Sequence, residues 1–227
     1  MLKLKQFNLS EAVNMKTVYL VRHGQTLLNH FNKMQGWVDS PLTELGQQQA
    51  ATTGNKLANV AFSYAASSDL GRAMDTLDII LAQQTQPTPI PERLLDLREA
   101  YFGSFEGLDS KLTWNMIGGP QGFRHQPDLV ERYGILKIRD FMNAADSFHE
   151  AETGEQLAQR INQALIHLSN SLEDGQAAIV VSHGTYIRTL ATLLTPGQPV
   201  MPQPNNGSIT RLDVTDPNNA QIIKYNE

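Results

Sequence analysis

Residues 17–24 read TVYLVRHG, an apolar run rich in β-branched residues that ends in an arginine, a histidine and a glycine. This pattern is typical of a buried strand that passes directly into a polar loop. Residues 177–184, AAIVVSHG, repeat the arrangement. Ligands of open α/β sheets bind at the carboxyl ends of the strands, and both His-Gly pairs stand at such ends. The two stretches therefore predict a ligand site at one edge of a sheet.

Strands and helices alternate along most of the chain. Apolar runs predict strands over residues 17–21, 62–67, 177–181, 209–214 and 220–225, and helical spacing predicts helices over residues 43–57, 69–84 and 153–172. The last helix starts with the residues TGEQ at 153–156, which resemble a capping box. Strands that alternate with helices imply an α/β fold. We predict a three-layer sandwich with a mostly parallel central sheet and helices on both faces.

Neither an internal repeat nor a low-complexity linker interrupts the sequence, so we predict a single domain over residues 15–227. Residues 1–14 are interpreted as an N-terminal arm outside the core, because the first strand follows Met15 directly; a short helix lying on the domain is the alternative. Residues 108–150 break the alternation and show only a weak helix around residues 128–143. We predict a cap-like insertion here, with a surface excursion that holds its own aromatic cluster as the alternative.

The composition limits the classes of function. Hydrophobic residues make up 41% of the 227 residues and charged residues 18%, which is too apolar for a disordered chain. No cysteine occurs, which excludes a disulfide framework, a thiolate zinc site and a cysteine nucleophile. The formal net charge of −5 and the lack of basic runs argue against a nucleic-acid surface or an anionic-membrane patch. No apolar stretch approaches the roughly 20 residues that span a bilayer, and we expect a cytoplasmic protein.

Five blocks of sequence carry the residues that can perform chemistry. They are residues 20–29 (LVRHGQTLLN), 34–43 (MQGWVDSPLT), 67–73 (SSDLGRA), 97–107 (LREAYFGSFEG) and 180–184 (VVSHG). An Arg-His-Gly tripeptide alone is a weak signal, but the five blocks in this order resemble the histidine phosphatase superfamily, also called the phosphoglycerate mutase-like family. The resemblance covers about residues 16–215, nearly the whole chain outside the arm and the cap.

The resemblance implies a catalytic role for five residues. In the family, the histidine of the Arg-His-Gly motif attacks phosphorus and becomes a phosphohistidine, so His23 is the expected nucleophile. Arg22 and Arg72 resemble the phosphate-clamping arginines, whose flat forks suit phosphoryl oxygens. His183 resembles the second active-site histidine, and Glu99 resembles the glutamate that protonates the leaving oxygen. The alternatives are a solvated side chain for Arg72 and helix capping for His183.

Three further residues are candidates for substrate binding. They are Asn29, which matches a polar phosphate neighbour in the family, Gln35 and Gly184. Helix capping is the alternative for Asn29. Glu106 is the rival carboxylate to Glu99, and its place in the block favours a structural role in which it orients a loop.

No metal and no other cofactor are expected. His23 and His183 could be metal ligands, but the chain lacks a His-x-x-x-His or paired-carboxylate signature, and arginines would repel a cation. The expected partner is a small phosphorylated substrate, with neither nucleic acid nor a membrane, and a homodimer is an open alternative. Cap residues that could meet the substrate are Lys111, Trp114, Arg124, His125, Lys137 and Arg139.

The family divides into mutases, which return the phosphoryl group to a sugar acid, and phosphatases, which pass it to water. The mutases carry an arginine directly after the catalytic glutamate, where this chain has Ala100, and a tyrosine further on, where it has Phe102. Residues 35–43 and 206–209 also look more like the broad-specificity phosphatases. We therefore predict a hydrolase of small phosphomonoesters. A cofactor-dependent phosphoglycerate mutase is the alternative, and a non-catalytic phosphate-binding module is a third possibility, which the retained site residues disfavour.

Overall fold

One sheet of six strands organises the part of the chain that the computed structural model describes, residues 14–227. The strands are β1 (Thr17–Arg22), β2 (Tyr64–Ser67), β3 (Glu92–Arg93), β4 (Ala177–Ser182), β5 (Ile209–Asp213) and β6 (Gln221–Lys224), in the order β3-β2-β4-β1-β5-β6 across the sheet. Strands β1 to β4 run parallel, β5 is antiparallel to β1, and β6 is antiparallel to β5. Apart from Asn14, the predicted N-terminal arm lies outside the described residues.

Helices connect these strands and pack on both faces of the sheet. They are α1 (Leu27–His30), α2 (Glu44–Leu57), α3 (Gly71–Leu81), α4 (Ser110–Gly118), α5 (Gln126–Tyr133), α6 (Lys137–Ala145), α7 (Gly154–Asn170) and α8 (Gly184–Leu193). Short 3₁₀ turns lie at Leu95–Leu97, Gly103–Phe105, Gly119–Gln121 and Pro217–Asn219.

The central strands are buried on both faces, which explains why their sequences are almost continuously apolar. Val18 and Leu20 of β1 belong to one buried cluster, together with Leu157 of α7. Val21 belongs to the cluster on the opposite face, together with Leu77 of α3. Because side chains alternate along a strand, successive residues of β1 pack into the two clusters alternately. The resulting three layers around a mostly parallel sheet confirm the predicted fold class.

Side-chain caps fix the start of the two longest helices. Thr43 precedes α2 and accepts a hydrogen bond from the backbone N–H of Gly46. Thr153 accepts one from the backbone N–H of Gln156, whose side chain bonds back to the backbone N–H of Thr153. The predicted capping box is therefore present. The predicted bounds of both helices are met within two residues.

Helix α8 is an element that the sequence analysis misses. The sequence pattern predicts a polar loop at residues 182–184 and no helix after this loop, but α8 begins at Gly184. The residue before it, His183, makes no side-chain capping bond, so the usual start signal is absent. The buried residues Tyr186, Ile187 and Leu190 recur at helical spacing, and this was the signal that could have identified the helix.

The segment of residues 108–150, which we call the cap, is more helical than predicted. The expectation of one weak helix around residues 128–143 is wrong. This stretch holds most of α5 and most of α6, which are two separate helices. Gly134 ends α5 with a φ of 82°, a backbone conformation that glycine adopts without strain, and so divides the two. The sequence pattern merges them because apolar residues continue across this break.

The cap has an apolar interior and an aromatic cluster of its own. Leu129, Ile138 and Met142 are fully buried and belong to the same core cluster as Val18. The ring of Tyr133 packs edge-on against the rings of Phe123 and Phe141, at centroid distances of 6.0 and 5.0 Å. None of the helices formed by residues 14–227 is long and apolar enough to cross a membrane.

Candidate active site

The two His-Gly pairs meet at the carboxyl edge of the sheet, as the sequence predicts. Strands β1 and β4 are parallel neighbours, and their last residues, Arg22 and Ser182, are partners in the register. The residues that follow, His23 and His183, are both buried, and their ring centroids lie 5.1 Å apart. The sheet register therefore places two imidazoles side by side at the end of the central strands.

His23 is held in an orientation suited to a nucleophile. Its Nδ1 lies 2.7 Å from the carbonyl oxygen of Gly24, which identifies the backbone acceptor that the sequence could not. Burial, and then the charges of Arg72 and Arg22, hold the pKa of His23 well below its ordinary value. The neutral ring with a proton on Nδ1 leaves a lone pair on Nε2, and this atom accepts a hydrogen bond from the Nε of Arg72 at 3.3 Å.

Arg72 is a fixed guanidinium and not a solvated side chain. It lies in the first turn of α3 and is 1% exposed. Its Nη1 donates to the carboxylate of Asp39 at 2.8 Å, and its Nη2 donates to the carbonyl of Gly36 at 2.7 Å. Burial lowers the pKa of Arg72, although Asp39 counteracts this shift. Arg72 is therefore a preorganised cation beside the nucleophilic nitrogen of His23.

Arg22 supplies a second cation from the end of β1. Its Nη1 donates to the carbonyl of Pro204 at 2.6 Å, while its buried Nε has no hydrogen-bond partner among the described residues. Burial lowers the pKa of Arg22 to about 10. Gly184 leaves the space that this side chain occupies, because a Cβ there would lie 3.0 Å from the Arg22 Nε and would collide with Gln203.

His183 has an imidazole with unused hydrogen-bonding capacity. It precedes α8 but does not cap it, so the capping alternative is excluded. Both of its ring nitrogens are buried and have no partner among the described residues. Burial, followed by the charges of Arg72 and His23, holds its pKa well below the ordinary value. A ligand beside His23 could therefore use this ring as a hydrogen-bonding partner.

Glu99 is fixed by the first turn of α8. Its Oε2 accepts a hydrogen bond from the backbone N–H of Thr185 at 2.8 Å, and its Oε1 accepts one from Tyr186 at 2.9 Å. The backbone N–H of Ala100 donates to Oε1 at 2.9 Å. A helix N-terminus offers free N–H groups that suit a carboxylate. The helix that the sequence analysis missed is thus the element that orients the candidate acid.

Glu106 has the structural role that its position suggests. Its carboxylate accepts four backbone hydrogen bonds, from Gly36, Trp37, Val38 and Phe102, at distances between 2.9 and 3.2 Å. These bonds fix the loop that also provides the carbonyl acceptors of Arg72. The prediction that Glu106 orients a loop is therefore confirmed.

A cavity of about 350 Å³ lies next to this cluster, and we call it the active-site cavity. Of the five candidate catalytic residues it is lined by Arg22 and Glu99, whereas the buried side chains of His23, Arg72 and His183 are not part of its lining. Met34, Phe102 and Trp114 also lie in its wall. Most of its remaining polar lining consists of neutral amides, which are Gln25, Asn29, Asn32, Gln35, Gln126, Gln203 and Asn206. Lys33, Ser110 and Thr185 complete the lining.

The candidate substrate-binding residues divide into two kinds. Asn29 and Gln35 line the active-site cavity and bond to each other at 3.2 Å. Asn29 also takes part in the capping box at the start of α1, as the alternative interpretation expects, and its contact with the substrate stays a prediction. Gly184 does not line the cavity, and the lack of a side chain there leaves room for Gln203 and Arg22. Asn206, which the sequence analysis did not select as a site residue, lines the cavity and donates to the carbonyl of His23 at 2.9 Å.

The predicted cap contacts are mostly absent from the active-site cavity. Trp114 lines it, whereas Lys111, Arg124, His125 and Lys137 are exposed and lie outside it. Arg139 is buried behind the cavity wall, with its Cζ 5.1 Å from the ring of Trp114 and 5.3 Å from the ring of Phe102. The cap therefore contributes the aromatic ring of Trp114 and the polar side chains of Ser110 and Gln126 to the cavity, and no cationic side chain.

Residues 14–227 contain no group of three or more His, Asp and Glu side chains arranged to hold a metal ion. The groups nearest the nucleophilic nitrogen are instead cationic, so the described site is suited to an anion.

Comparison with known proteins agrees with this geometry. The sequence profile of the Histidine phosphatase superfamily (branch 1) matches residues 18–227. The chain belongs to this superfamily. A relative from Hamiltonella defensa subsp. Acyrthosiphon pisum, named 2,3-bisphosphoglycerate-dependent phosphoglycerate mutase, is 31% identical over 192 residues, which cover 78% of this chain and 77% of the relative.

Solved structures of other proteins show the same fold. The crystal structure of phosphoglycerate mutase from Bacillus anthracis str. Sterne is 33% identical, covers 89% of both chains and superposes with a TM-score of 0.81. The structure of mycobacterial glucosyl-3-phosphoglycerate phosphatase, in complex with VO₃, is 24% identical and has a TM-score of 0.71, with 93% of this chain and 99% of that chain covered. The second similarity shows the fold alone. Members of the superfamily are enzymes, either phosphatases or mutases, so the predicted enzymatic character is supported at this level.

Proposed function

We propose that this histidine phosphatase hydrolyses phosphomonoesters of small neutral alcohols through a phosphohistidine on His23. The proposal rests on the neutral, buried imidazole, whose Nε2 accepts a hydrogen bond from Arg72 and whose pKa the charges of Arg72 and Arg22 help to lower. A phosphoryl group there would place its oxygens among two cations and the unused nitrogens of His183. Electrostatic stabilisation of this kind is the main contribution that a protein makes to phosphoryl transfer.

The first step transfers the phosphoryl group to the enzyme. The Nε2 of His23 attacks phosphorus, the N–P bond forms, and the bond to the ester oxygen breaks with its electron pair going to that oxygen. Glu99, entering this step as the carboxylic acid, gives its proton to the leaving oxygen, so a neutral alcohol departs. The carbonyl of Gly24 keeps the ring oriented while the imidazole becomes cationic.

The second step returns the enzyme to its starting state. Water attacks phosphorus, and the carboxylate of Glu99 accepts the proton that the water loses. The N–P bond breaks, its electron pair returns to Nε2, and inorganic phosphate leaves. Both steps use residues of this chain alone, so we propose a reaction that is independent of a metal ion.

The lining of the active-site cavity favours hydrolysis over the mutase reaction. Besides Arg22, the only cation among the described lining residues is Lys33, and its ammonium already lies 4.0 Å from the carboxylate of Asp109. A phosphoglycerate needs a cationic partner for its carboxylate in addition to those for its phosphate, and Ala100 cannot supply one. Neutral amides pair well with hydroxyl groups. This amide-lined wall is the observation on which the choice of hydrolysis depends.

The mutase reaction is the second candidate, and the names of the relatives favour it. Both the Hamiltonella defensa relative and the Bacillus anthracis structure are named as phosphoglycerate mutases, at 31% and 33% identity. These names support the mutase more directly than they support hydrolysis, whereas the chemistry of the cavity wall favours hydrolysis.

One assay compares the two candidates directly. The purified protein is incubated with 3-phosphoglycerate and a trace of 2,3-bisphosphoglycerate, and separately with a sugar phosphate, while ³¹P NMR follows every phosphorus species. Hydrolysis of the sugar phosphate to inorganic phosphate, with little 2-phosphoglycerate formed, is the result we expect. Rapid formation of 2-phosphoglycerate with little phosphate release would assign the mutase reaction instead.

A further inference from the structure

Arg160 of α7 is a largely buried side chain, 12% exposed, that the proposed mechanism does not use, and every one of its five N–H donors has a partner. Nε and Nη2 both donate to the carboxylate of Glu152, at 2.8 Å each. Nη1 donates to the carbonyls of Asp96 and Arg98, at 2.9 and 2.6 Å. The remaining donor of Nη2 reaches the carbonyl of Glu99 at 3.2 Å.

Three of these bonds hold the backbone that carries the candidate acid. The carbonyls of residues 96, 98 and 99 all accept hydrogen bonds from one guanidinium, so the segment leading to Glu99 is attached to α7. The indole Nε1 of Trp37 also donates to the carbonyl of Glu99, at 3.0 Å. Glu99 is therefore held at both its groups: the backbone N–H groups of α8 bind its carboxylate, and Arg160 and Trp37 bind its backbone carbonyl.

Arg160 also contacts the element that holds the carboxylate. Its Cζ lies 5.5 Å from the ring of Tyr186, whose backbone N–H donates to Glu99. Glu152 is fixed in turn by the backbone N–H of Tyr101 at 3.3 Å. Burial opposes the charge of Arg160, but hydrogen bonding and attraction to Glu152 raise its pKa overall, so the guanidinium stays charged. One cation thus connects α7, the segment before Glu99 and α8.

We propose that Arg160, paired with Glu152, is a positioning residue that aligns Glu99 for proton transfer to and from the phosphorylated site. This inference rests on the proposed proton-transfer role of Glu99. A lysine at position 160 would provide a point charge and could not bond to the carboxylate of Glu152 and three carbonyls at once. A displacement of about 1 Å in a reacting group can reduce a rate about 100-fold, so a loosened backbone at Glu99 should be visible in the chemistry.

The test compares leaving groups that differ in their need for a proton. Arg160→Lys and the double variant Arg160→Met with Glu152→Gln are assayed on alkyl phosphates and on p-nitrophenyl phosphate, with rapid-quench measurement of the phosphorylation step. The double variant avoids an unpaired buried carboxylate and so protects folding. We expect a loss of about 10- to 100-fold in kcat/KM for the alkyl phosphates and less than about 3-fold in the phosphorylation rate for p-nitrophenyl phosphate.

A double-mutant comparison separates positioning from structure. If Arg160 acts through Glu99, Arg160→Lys should cost almost nothing further in a Glu99→Gln background, because the proton transfer is already lost. Arg211→Lys is the matched control, since it removes a fork of the same kind, bonded to Glu227 at 2.8 Å on strand β5 and outside the lining of the active-site cavity. It should behave as the wild type with every substrate.

The inference and the proposed function can fail separately. Equal losses for all leaving groups in the Arg160 variants, or an undiminished loss in the Glu99→Gln background, would overturn the positioning role. A Glu99→Gln variant that itself shows no dependence on the leaving group would instead overturn the proposed function of Glu99.

Discussion

The imidazoles of His23 and His183 lie 5.1 Å apart because each follows a register-paired residue at the end of β1 or β4. Hydrogen bonds of the sheet therefore set the distance between the two rings, and loop flexibility does not. A cationic fork from Arg72 reaches His23 from α3, and the first turn of α8 carries the donors of Glu99. The site is consequently built before any substrate arrives, as electrostatic catalysis requires.

Replacing His23 by alanine should remove turnover with every substrate by several orders of magnitude, because the covalent intermediate can no longer form. Rapid quenching of the wild type with labelled substrate should yield an acid-labile, base-stable phosphoprotein that His23→Ala does not form. His30→Ala, at an exposed histidine, is the control and should retain both activity and labelling. Labelled phosphoprotein in His23→Ala would contradict the assignment, and His183 would then be the residue to test.

Glu99→Gln should affect substrates unequally. An alkoxide leaving group needs a proton, so we expect a loss of about 10²- to 10⁴-fold with sugar phosphates. Nitrophenolate leaves without one, so its phosphorylation step should change little, and phosphohistidine should accumulate because water attack lacks its base. A leaving-group series with rapid-quench detection measures both effects. Equal losses across the series would contradict the role of Glu99 as proton donor, and Glu106 would then be the carboxylate to test.

Stability should fall on acidification below about pH 6.5, the ordinary pKa of histidine. Burial, and then the charge of Arg72, hold the pKa values of His23 and His183 well below 6.5, so the unfolded chain binds protons that the folded protein excludes. Below about pH 6.5 the free energy of unfolding therefore decreases as the pH falls, by up to about 1.4 kcal/mol per pH unit for each histidine.

Urea unfolding between pH 5 and pH 7 measures this dependence. His183→Gln should reduce the slope of unfolding free energy against pH by about the share of one histidine. His30→Gln, at an exposed position, should leave the slope unchanged. A slope in His183→Gln that equals that of the wild type would show that His183 does not resist protonation in the folded protein.

Arg139→Met should stabilise the protein. Arg139 is 1% exposed, its Nε and Nη2 have no hydrogen-bond partner among the described residues, and burial lowers its pKa to about 10. Replacing buried charges by apolar side chains of similar volume often stabilises a protein by about 1–4 kcal/mol. Denaturant unfolding at pH 7 measures the change, and the exposed Arg132→Met should alter stability by less than about 0.5 kcal/mol. Destabilisation by Arg139→Met would mean that its contacts with Trp114 and Phe102 outweigh the cost of the buried charge.

Activity should persist in the presence of EDTA. The lone pair of His23 faces a guanidinium, and Arg22 stands nearby, so a cation would be repelled from the position of the phosphoryl group. Phosphate release from a sugar phosphate is measured before and after dialysis against the chelator. Loss of most of the turnover in EDTA, with recovery on addition of Mg²⁺ or Zn²⁺, would contradict the proposed metal-independent reaction.

The sequence by itself determined the order of the main strands and helices, because burial imposes periods of 2 and 3.6 residues that can be counted along the chain. It also determined the superfamily, because His23, Arg72, Glu99 and His183 occur in blocks of recognisable order. The capping box at residues 153–156 was predictable for the same reason, since its partners are three residues apart.

Only the tertiary structure decided which groups meet. The carboxylate of Glu99 accepts hydrogen bonds from backbone N–H groups 86 and 87 residues away. These donors belong to α8, a helix that lacks the capping residue by which its start could be predicted. The position of Arg139 behind Trp114 depends on how α6 packs against α4, and the amide wall brings together residues 25–35, 126 and 203–206. Such contacts arise from packing between elements far apart in the chain, and no local periodicity encodes them.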